Sequence, residues 1–188
     1  MNTKSRANNG SATLPNFWFK YEKTIPQEAK DWIYEQYLNR DTLYVYCDMS
    51  LSVEKQVMSL ACSYLNNGYI KVKKQLFQPH KRLLHQNVYG EVKAVIFALK
   101  NFHNHIGRNK KVIIYSDIED IEKMANNEVA TDKPVMMKVQ NELMQVYRSV
   151  CNEYKDMDIS IQFLPPSKQR YNPYHKAANN AARRLLQE

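Results

Sequence analysis

Three acidic side chains stand where this chain could do chemistry. Asp117 closes Lys111–Ser116, a short run dense in β-branched and aromatic residues that reads as a buried strand, and residues 118–126 after it read as helix. Its carboxylate therefore falls at the C-terminal end of a strand, where open α/β sheets place their ligand sites. Asp48 closes a second such run, TLYVYCDMS, in the same way, and Glu91 lies early in a long apolar-periodic stretch, VYGEVKAVIFALKNF. Carboxylates held within a few ångströms repel one another and raise each other's pKa unless a cation is present. Mg²⁺ or Mn²⁺ suits such an all-oxygen set. Two such ions can activate a water and stabilise the leaving oxygen of a phosphodiester. Strand ends and helices are rigid enough to hold that geometry. Spacing alone leaves a bland alternative equally open: three unrelated surface acids.

The elements that must position these acids can be read in order. Residues 1–15 are polar, small and basic and read as a disordered tail; residues 16–41 read as a helical amino-terminal extension, opened by Pro26, with Ala29, Trp32, Ile33 and Tyr37 on one face. The extension is either a helix packed on the main domain or a partner- or substrate-binding appendage, since aromatics interleaved with Lys20 and Lys23 can also stack on bases. The main domain is expected over 42–188. Strand one covers 42–49. Two further strands, 56–65 and Tyr69–Phe77, flank Asn66-Asn67-Gly68, a strong hairpin signal. A helix follows over 88–103, stopped by Gly107, then strand Lys111–Ser116, the short helix after Asp117, and a turn at Thr131-Asp132-Lys133-Pro134. A long amphipathic helix over 135–154, a strand over 158–164, a basic loop over 167–173 and an Ala-rich helix over 174–187 complete the chain. The order β-β-β-α-β-α-α-β-α implies an α/β fold, a mixed five-stranded sheet with helices on both faces. Strands one, four and five can run parallel through right-handed crossovers, which would set Asp48 beside Asp117.

Composition bounds the partners. The chain has 188 residues, 44% hydrophobic and 24% charged, an ordinary globular balance. No long apolar run or signal-type segment appears, so a cytoplasmic protein is expected, and three widely spaced cysteines (Cys47, Cys62, Cys151) fit neither a disulfide framework nor a zinc site. Cys47, inside a strand, reads as core. The net charge of +8 favours a polyanionic partner, most simply nucleic acid, and on charge alone a generally basic surface with no specific ligand is an equally open alternative. Lys168, Arg170 and Lys176, interleaved with Tyr171 and Tyr174, form the clearest candidate for phosphate contacts. His80, His85, His103 and His105 lack a metal-ligand pattern and read as loop or surface residues. Glu119 and Asp120 read as acids favoured at a helix start, with an outer-shell contact as the alternative.

The local sequences around the three acids resemble the ribonuclease H family. Tyr46-Cys47-Asp48-Met49-Ser50 resembles that family's first strand; Gly90-Glu91-Val92-Lys93-Ala94 with Ala98-Leu99 resembles the helix carrying its catalytic Glu; Tyr115-Ser116-Asp117 resembles the end of its fourth strand; and Tyr174 to Asn179 resembles its terminal helix. The resemblance spans about 42–187. It implies a ribonuclease H-like fold and metal-dependent hydrolysis of the RNA strand of RNA–DNA hybrids. Asp48, Glu91 and Asp117 would hold Mg²⁺ or Mn²⁺ with help from Asn179, and Asn87, Lys168, Arg170, His175 and Lys176 would contact substrate. Discrimination would rest on 2′-hydroxyl contacts across a shallow minor groove. The chain also departs from the pattern. The terminal metal-binding Asp is Asn179, the Asn usually four residues before it is His175, and the nearest counterpart of a mobile loop His is Gln169. SLSVEKQ replaces the Gly-rich turn after the first Asp. These departures keep two alternatives: a weak or inactive domain that binds nucleic acid or protein, and a nuclease of the same superfamily directed at DNA.

Overall fold

A computed structural model describes residues 14–129, 131 and 133–188. The tail expected over 1–15 therefore falls, up to residue 13, outside the described residues, as does Asp132 of the expected turn. Five strands, β1 (Thr42–Ser52), β2 (Val57–Asn66), β3 (Tyr69–Phe77), β4 (Lys111–Ser116) and β5 (Asp158–Phe163), form one sheet in the order β3-β2-β1-β4-β5. The first three are antiparallel, and β4 and β5 run parallel to β1. The hairpin signal holds: Asn67 (φ 48°) and Gly68 (φ 76°) occupy the two positive-φ positions that a tight type I′ connection needs.

Helices cover both faces, as expected. Along β1, Leu43, Val45, Cys47 and Met49 point into a core shared with α2 (Asn87–Asn101), α3 (Ile121–Asn126) and α4 (Pro134–Glu153). Tyr44 and Tyr46 point the other way, into an aromatic core with α1 (Gln27–Leu38) and Tyr174 of α6 (Pro173–Leu185). This double cover explains why strand one reads as a continuous apolar run rather than an alternating one. The sheet's β3 edge is blunted by Lys71, Lys73 and Lys74.

Three differences from the sequence reading have local causes. β1 runs on to Ser52 because its antiparallel pairing with β2 continues to Ser52 opposite Val57, whereas its pairing with β4 stops at Tyr46 opposite Tyr115. The helix expected from residue 118 begins at Ile121, since the Ile118 N–H donates to Ser116 Oγ at 3.3 Å and forms a turn first. The expected loop 167–173 contains a helical turn, α5 (Pro166–Gln169), with Pro166 at its first position.

The last helix is fastened to the sheet through its own carbonyls. Ser63 Oγ donates to Tyr174 O at 2.8 Å, and Ser59 Oγ to Ala182 O at 2.6 Å. Ala178 and Ala182, both fully buried, let the helix approach closely. Asn172 caps it, accepting from the Tyr174 and His175 N–H groups at 2.9 and 3.0 Å. The Tyr174 hydroxyl donates to Ile33 O of α1 at 3.0 Å. Near the amino terminus, Phe17 packs on Tyr34, Tyr37 and Tyr174, and Trp18 Nε1 donates to Tyr171 O at 2.8 Å. Those two aromatics are occupied by packing, while Phe19 and Tyr21 remain exposed. Among the described residues, no helix is long and apolar enough to cross a membrane.

Candidate active site

The unequal pairing of β1 creates the site. Beyond Tyr46 the strand keeps β2 on one side but has no ladder to β4 on the other, so the sheet forks. Asp48 lies two residues past Tyr46, and Asp117 two past its partner Tyr115, so the acids face each other across the fork. Asp48 is buried, whereas Asp117 is exposed at the fork's mouth. Asp48 Oδ1 accepts from the Met49 N–H at 2.7 Å, and Oδ2 faces His175 Nε2 of α6 at 3.7 Å. Glu91 enters from the opposite face of the sheet, in the second turn of α2, and its Oε2 is buried without a hydrogen-bond partner.

A glycine lies where α2 packs on β1. A Cβ at Gly90 would stand 2.0 Å from Met49 Cε and 3.2 Å from its Cγ. Gly90 precedes Glu91 and Met49 follows Asp48, so the Met49 side chain packs α2 against β1 beside the two acids. Gly90→Ala is expected to push the Met49 side chain aside and to change stability by about 1 kcal/mol or less, the lost packing being offset by the better helix propensity of Ala. Thermal denaturation checks this.

The electrostatics follow from crowding in a poorly solvated fork. Burial pushes the Glu91 carboxyl well above the usual range, and the charges of Asp117 and Asp48 push it further, with the Met49 N–H pulling back. Burial raises Asp48 as well, against the opposing pull of the Asn179 amide, the His175 ring and the Met49 N–H. Asp117, although solvent reaches it at the mouth, is raised by the partial desolvation of the surrounding fork walls and lowered by His175. A hard cation would relieve all three, and the orphaned Glu91 oxygen fits one in kind. The side chains as they lie do not yet enclose it: among the described residues, no group of three His, Cys, Asp or Glu donors is disposed to hold a metal ion.

The fork opens into a cleft of about 770 Å³ lined by Met49, Asn87, Glu91, Asp117, Glu119 and Asp120. Asn87, the first residue of α2, therefore reaches the acids' cleft, and Glu119 and Asp120 share its wall. Asn179 and His175 sit one helical turn apart on α6 beside Asp48. Lys168 and Arg170 do not line this cleft. Lys168 Nζ lies 5.0 Å over the Trp32 ring and Arg170 stacks 5.2 Å from Tyr171, and both border a separate hollow of about 520 Å³ against α1. Lys176 is exposed on α6. Gln169 is tied down, its Nε2 donating to Leu164 O at 2.7 Å, so it braces the turn before α6 rather than swinging over the site. Sequence reasoning missed the His175–Asp48 approach and the Gly90–Met49 contact. The first had a signal in the spacing of His175 and Asn179, one turn apart; the second required the helix-to-strand packing.

No protein-family model and no curated protein sequence matches the chain. Solved structures do. Ribonuclease H1 of the halophilic archaeon Halobacterium salinarum superimposes with a TM-score of 0.54 at 15% identity, covering 77% of this chain and 98% of that one. The N-terminal RNase H domain of a Mycobacterium tuberculosis protein gives 0.54 at 12% identity, over 78% and 96%. LC11 RNase H1, solved in complex with an RNA/DNA hybrid, gives 0.55 at 11% identity, over 77% and 99%. With the sheet order, the parallel β1–β4–β5 half and helices on both faces, these likenesses establish that the chain has the ribonuclease H-like fold.

Proposed function

We propose that residues 42–188 form a metal-dependent endonuclease that hydrolyses the RNA strand of RNA–DNA hybrids by a two-metal mechanism, with residues 16–41 as an extension. The observation that carries this reading is that Asp48 of β1 and Asp117 just after β4 flank the split between those strands, with Glu91 of α2 lining the same cleft as Asp117. The hybrid held by a solved protein of the same fold supports the substrate class. Asp48, Glu91 and Asp117 would supply oxygen ligands for Mg²⁺ or Mn²⁺, with Asn179 adding an uncharged amide oxygen. When bound, the ions supply a polarised phosphate and an activated water. The chain's own groups do the rest. The Met49 N–H fixes the rotamer of Asp48. His175 Nε2 faces Asp48 Oδ2 at 3.7 Å, beside the carboxylate but beyond direct hydrogen-bond reach. Asn87, on the cleft wall, would meet the substrate backbone.

A second reading is a weak or inactive domain that binds nucleic acid or a protein. It is favoured by the neutral Asn179 and by the open disposition of the donors. Cleavage of hybrid, double-stranded RNA, double-stranded DNA and single strands, in Mg²⁺ and in Mn²⁺, separates the two. Hybrid-selective cleavage is the expected result, and its absence from folded protein leaves the binding reading. In the same preparations, reversing Lys168 and Arg170 to Glu is expected to weaken hybrid binding about tenfold or more and flatten its salt dependence. Unchanged affinity would move the substrate surface to residues 80–82 or to the extension.

A further inference from the structure

The opposite end of the sheet carries a cavity that shares no wall with the acidic cleft. It measures about 720 Å³, with Arg40, Lys71 and Arg108 among its lining residues, Tyr64 and His105 stacked together in its wall, and Tyr69 beside them. Arg40 comes from the link before β1, Tyr69 and Lys71 from the start of β3, and His105 and Arg108 from the connection into β4. At about 3.3 Å per residue, the start of β1 is roughly 20 Å from Asp48.

Three observations point to an anionic, flat-ringed ligand here. The first is His105. Both of its ring nitrogens are buried and lack a hydrogen-bond partner, although the loop is held firmly, with Asn66 Nδ2 donating to His105 O at 2.7 Å. Buried polar groups without partners call for an occupant. The second is charge. Arg40, Lys71 and Arg108 are exposed, and among the described residues none is in an ion pair. Burial lowers the His105 pKa, and Lys73, Lys71 and His103 lower it further, so the ring sits in a positive field with no carboxylate opposing it. The third is Tyr69, a residue 73% exposed on the cavity wall.

We propose that this cavity binds a 5′-nucleotide, with Arg40, Lys71 and Arg108 clamping the phosphate, His105 donating to it, and the base lying on Tyr69. Separate cations from two connections and the start of β3, all lining one cavity, match the dispersed charge of a phosphate. The volume suits one nucleotide. The inference stands apart from the nuclease reading, since no residue of the fork takes part.

The test uses the full chain and three probes: adenosine 5′-monophosphate, inorganic phosphate and adenosine. Binding is followed by calorimetry and by the histidine ring signals in NMR. The nucleotide is expected to bind and shift the His105 signals, phosphate to bind more weakly at the same place, and adenosine not to bind measurably. Arg40→Ala with Lys71→Ala, both at exposed positions, is expected to weaken nucleotide binding by about tenfold or more. Tyr69→Ala is expected to weaken the nucleotide but not phosphate. A 5′-phosphorylated dinucleotide binding more tightly than the mononucleotide would identify the ligand as a strand end, and equal affinity would identify it as a free nucleotide. Unmoved His105 signals, adenosine binding as well as its phosphate, or equal affinity in the double variant would overturn the proposal and assign the cavity to water.

Discussion

Replacing Asp117 by Asn abolishes hybrid cleavage, and replacing Asn179 by Asp increases it, if the fork is a nuclease site. Asp117 faces Asp48 across the split between β1 and β4, and its removal leaves two carboxylates to hold two divalent ions. The expected loss is about 10²–10³-fold or more, the scale of removing one preorganised electrostatic partner from an active site. Asn179→Asp places a charge beside Asp48 and is expected to tighten Mg²⁺ by about tenfold, with a smaller gain in Mn²⁺. Mg²⁺ tolerates imperfect octahedral geometry less well and gains more from an added ligand. Rates of hybrid cleavage for wild type, Asp117→Asn and Asn179→Asp across Mg²⁺ and Mn²⁺ concentrations decide the matter. No cleavage by any of the three folded proteins would remove the nuclease assignment and leave the binding one.

Glu91→Gln is expected to stabilise the metal-free protein at neutral pH while weakening its response to Mg²⁺. The Glu91 carboxyl is raised on folding, by burial and then by Asp117 and Asp48. A carboxyl raised on folding binds more protons in the folded chain than in the unfolded one. Its stability contribution is thus fully present below the unfolded value of about 4.3 and is lost as pH rises through the folded one. Metal-free wild-type protein should therefore lose stability as pH climbs above the ordinary carboxylate range, and Mg²⁺ should restore it. The Gln variant carries no charge to bury at this position and should show a smaller loss and a weaker rescue, the remainder coming from Asp48 and Asp117, which burial also raises. The gain at neutral pH is about 1–3 kcal/mol, the cost of an unpartnered buried group, or roughly 2–12 °C in melting temperature for a domain of this size. Melting curves from pH 4 to 8, with and without Mg²⁺, provide the measurement. A flat wild-type profile would mean that Glu91 is well solvated.

Much of this architecture was legible because periodicity and turn chemistry agreed. Asn67-Gly68 specified the hairpin, and the apolar spacing of Val92, Val95, Ile96 and Leu99 specified α2. The run TLYVYC marked a strand covered on both faces. The neighbouring positions of Asp48 and Asp117 followed from right-handed crossovers alone. What stayed hidden depended on distances between elements. Nothing local to Gly90 marks it as the point where Met49 fills the place of a side chain. Lys168 and Arg170 read as part of a phosphate-binding loop, but a proline-started turn and the Trp32 ring carry them to the α1 side. His105 read as a surface residue, because one chain cannot reveal that Tyr64, forty-one positions earlier, will cover its ring.

The serine bonds that fasten α6 to β2 also bear on the order in which the molecule matures. They join residues 111 and 123 positions apart, and α6 brings His175 and Asn179 to Asp48 only once those bonds close. Contacts of such separation are entropically expensive to close and form late. During refolding the sheet and the α2 side can be complete while the fork still lacks two of its residues. Acquisition of cation-dependent protection should then lag behind recovery of secondary structure, and the interval between them is the docking time of one helix.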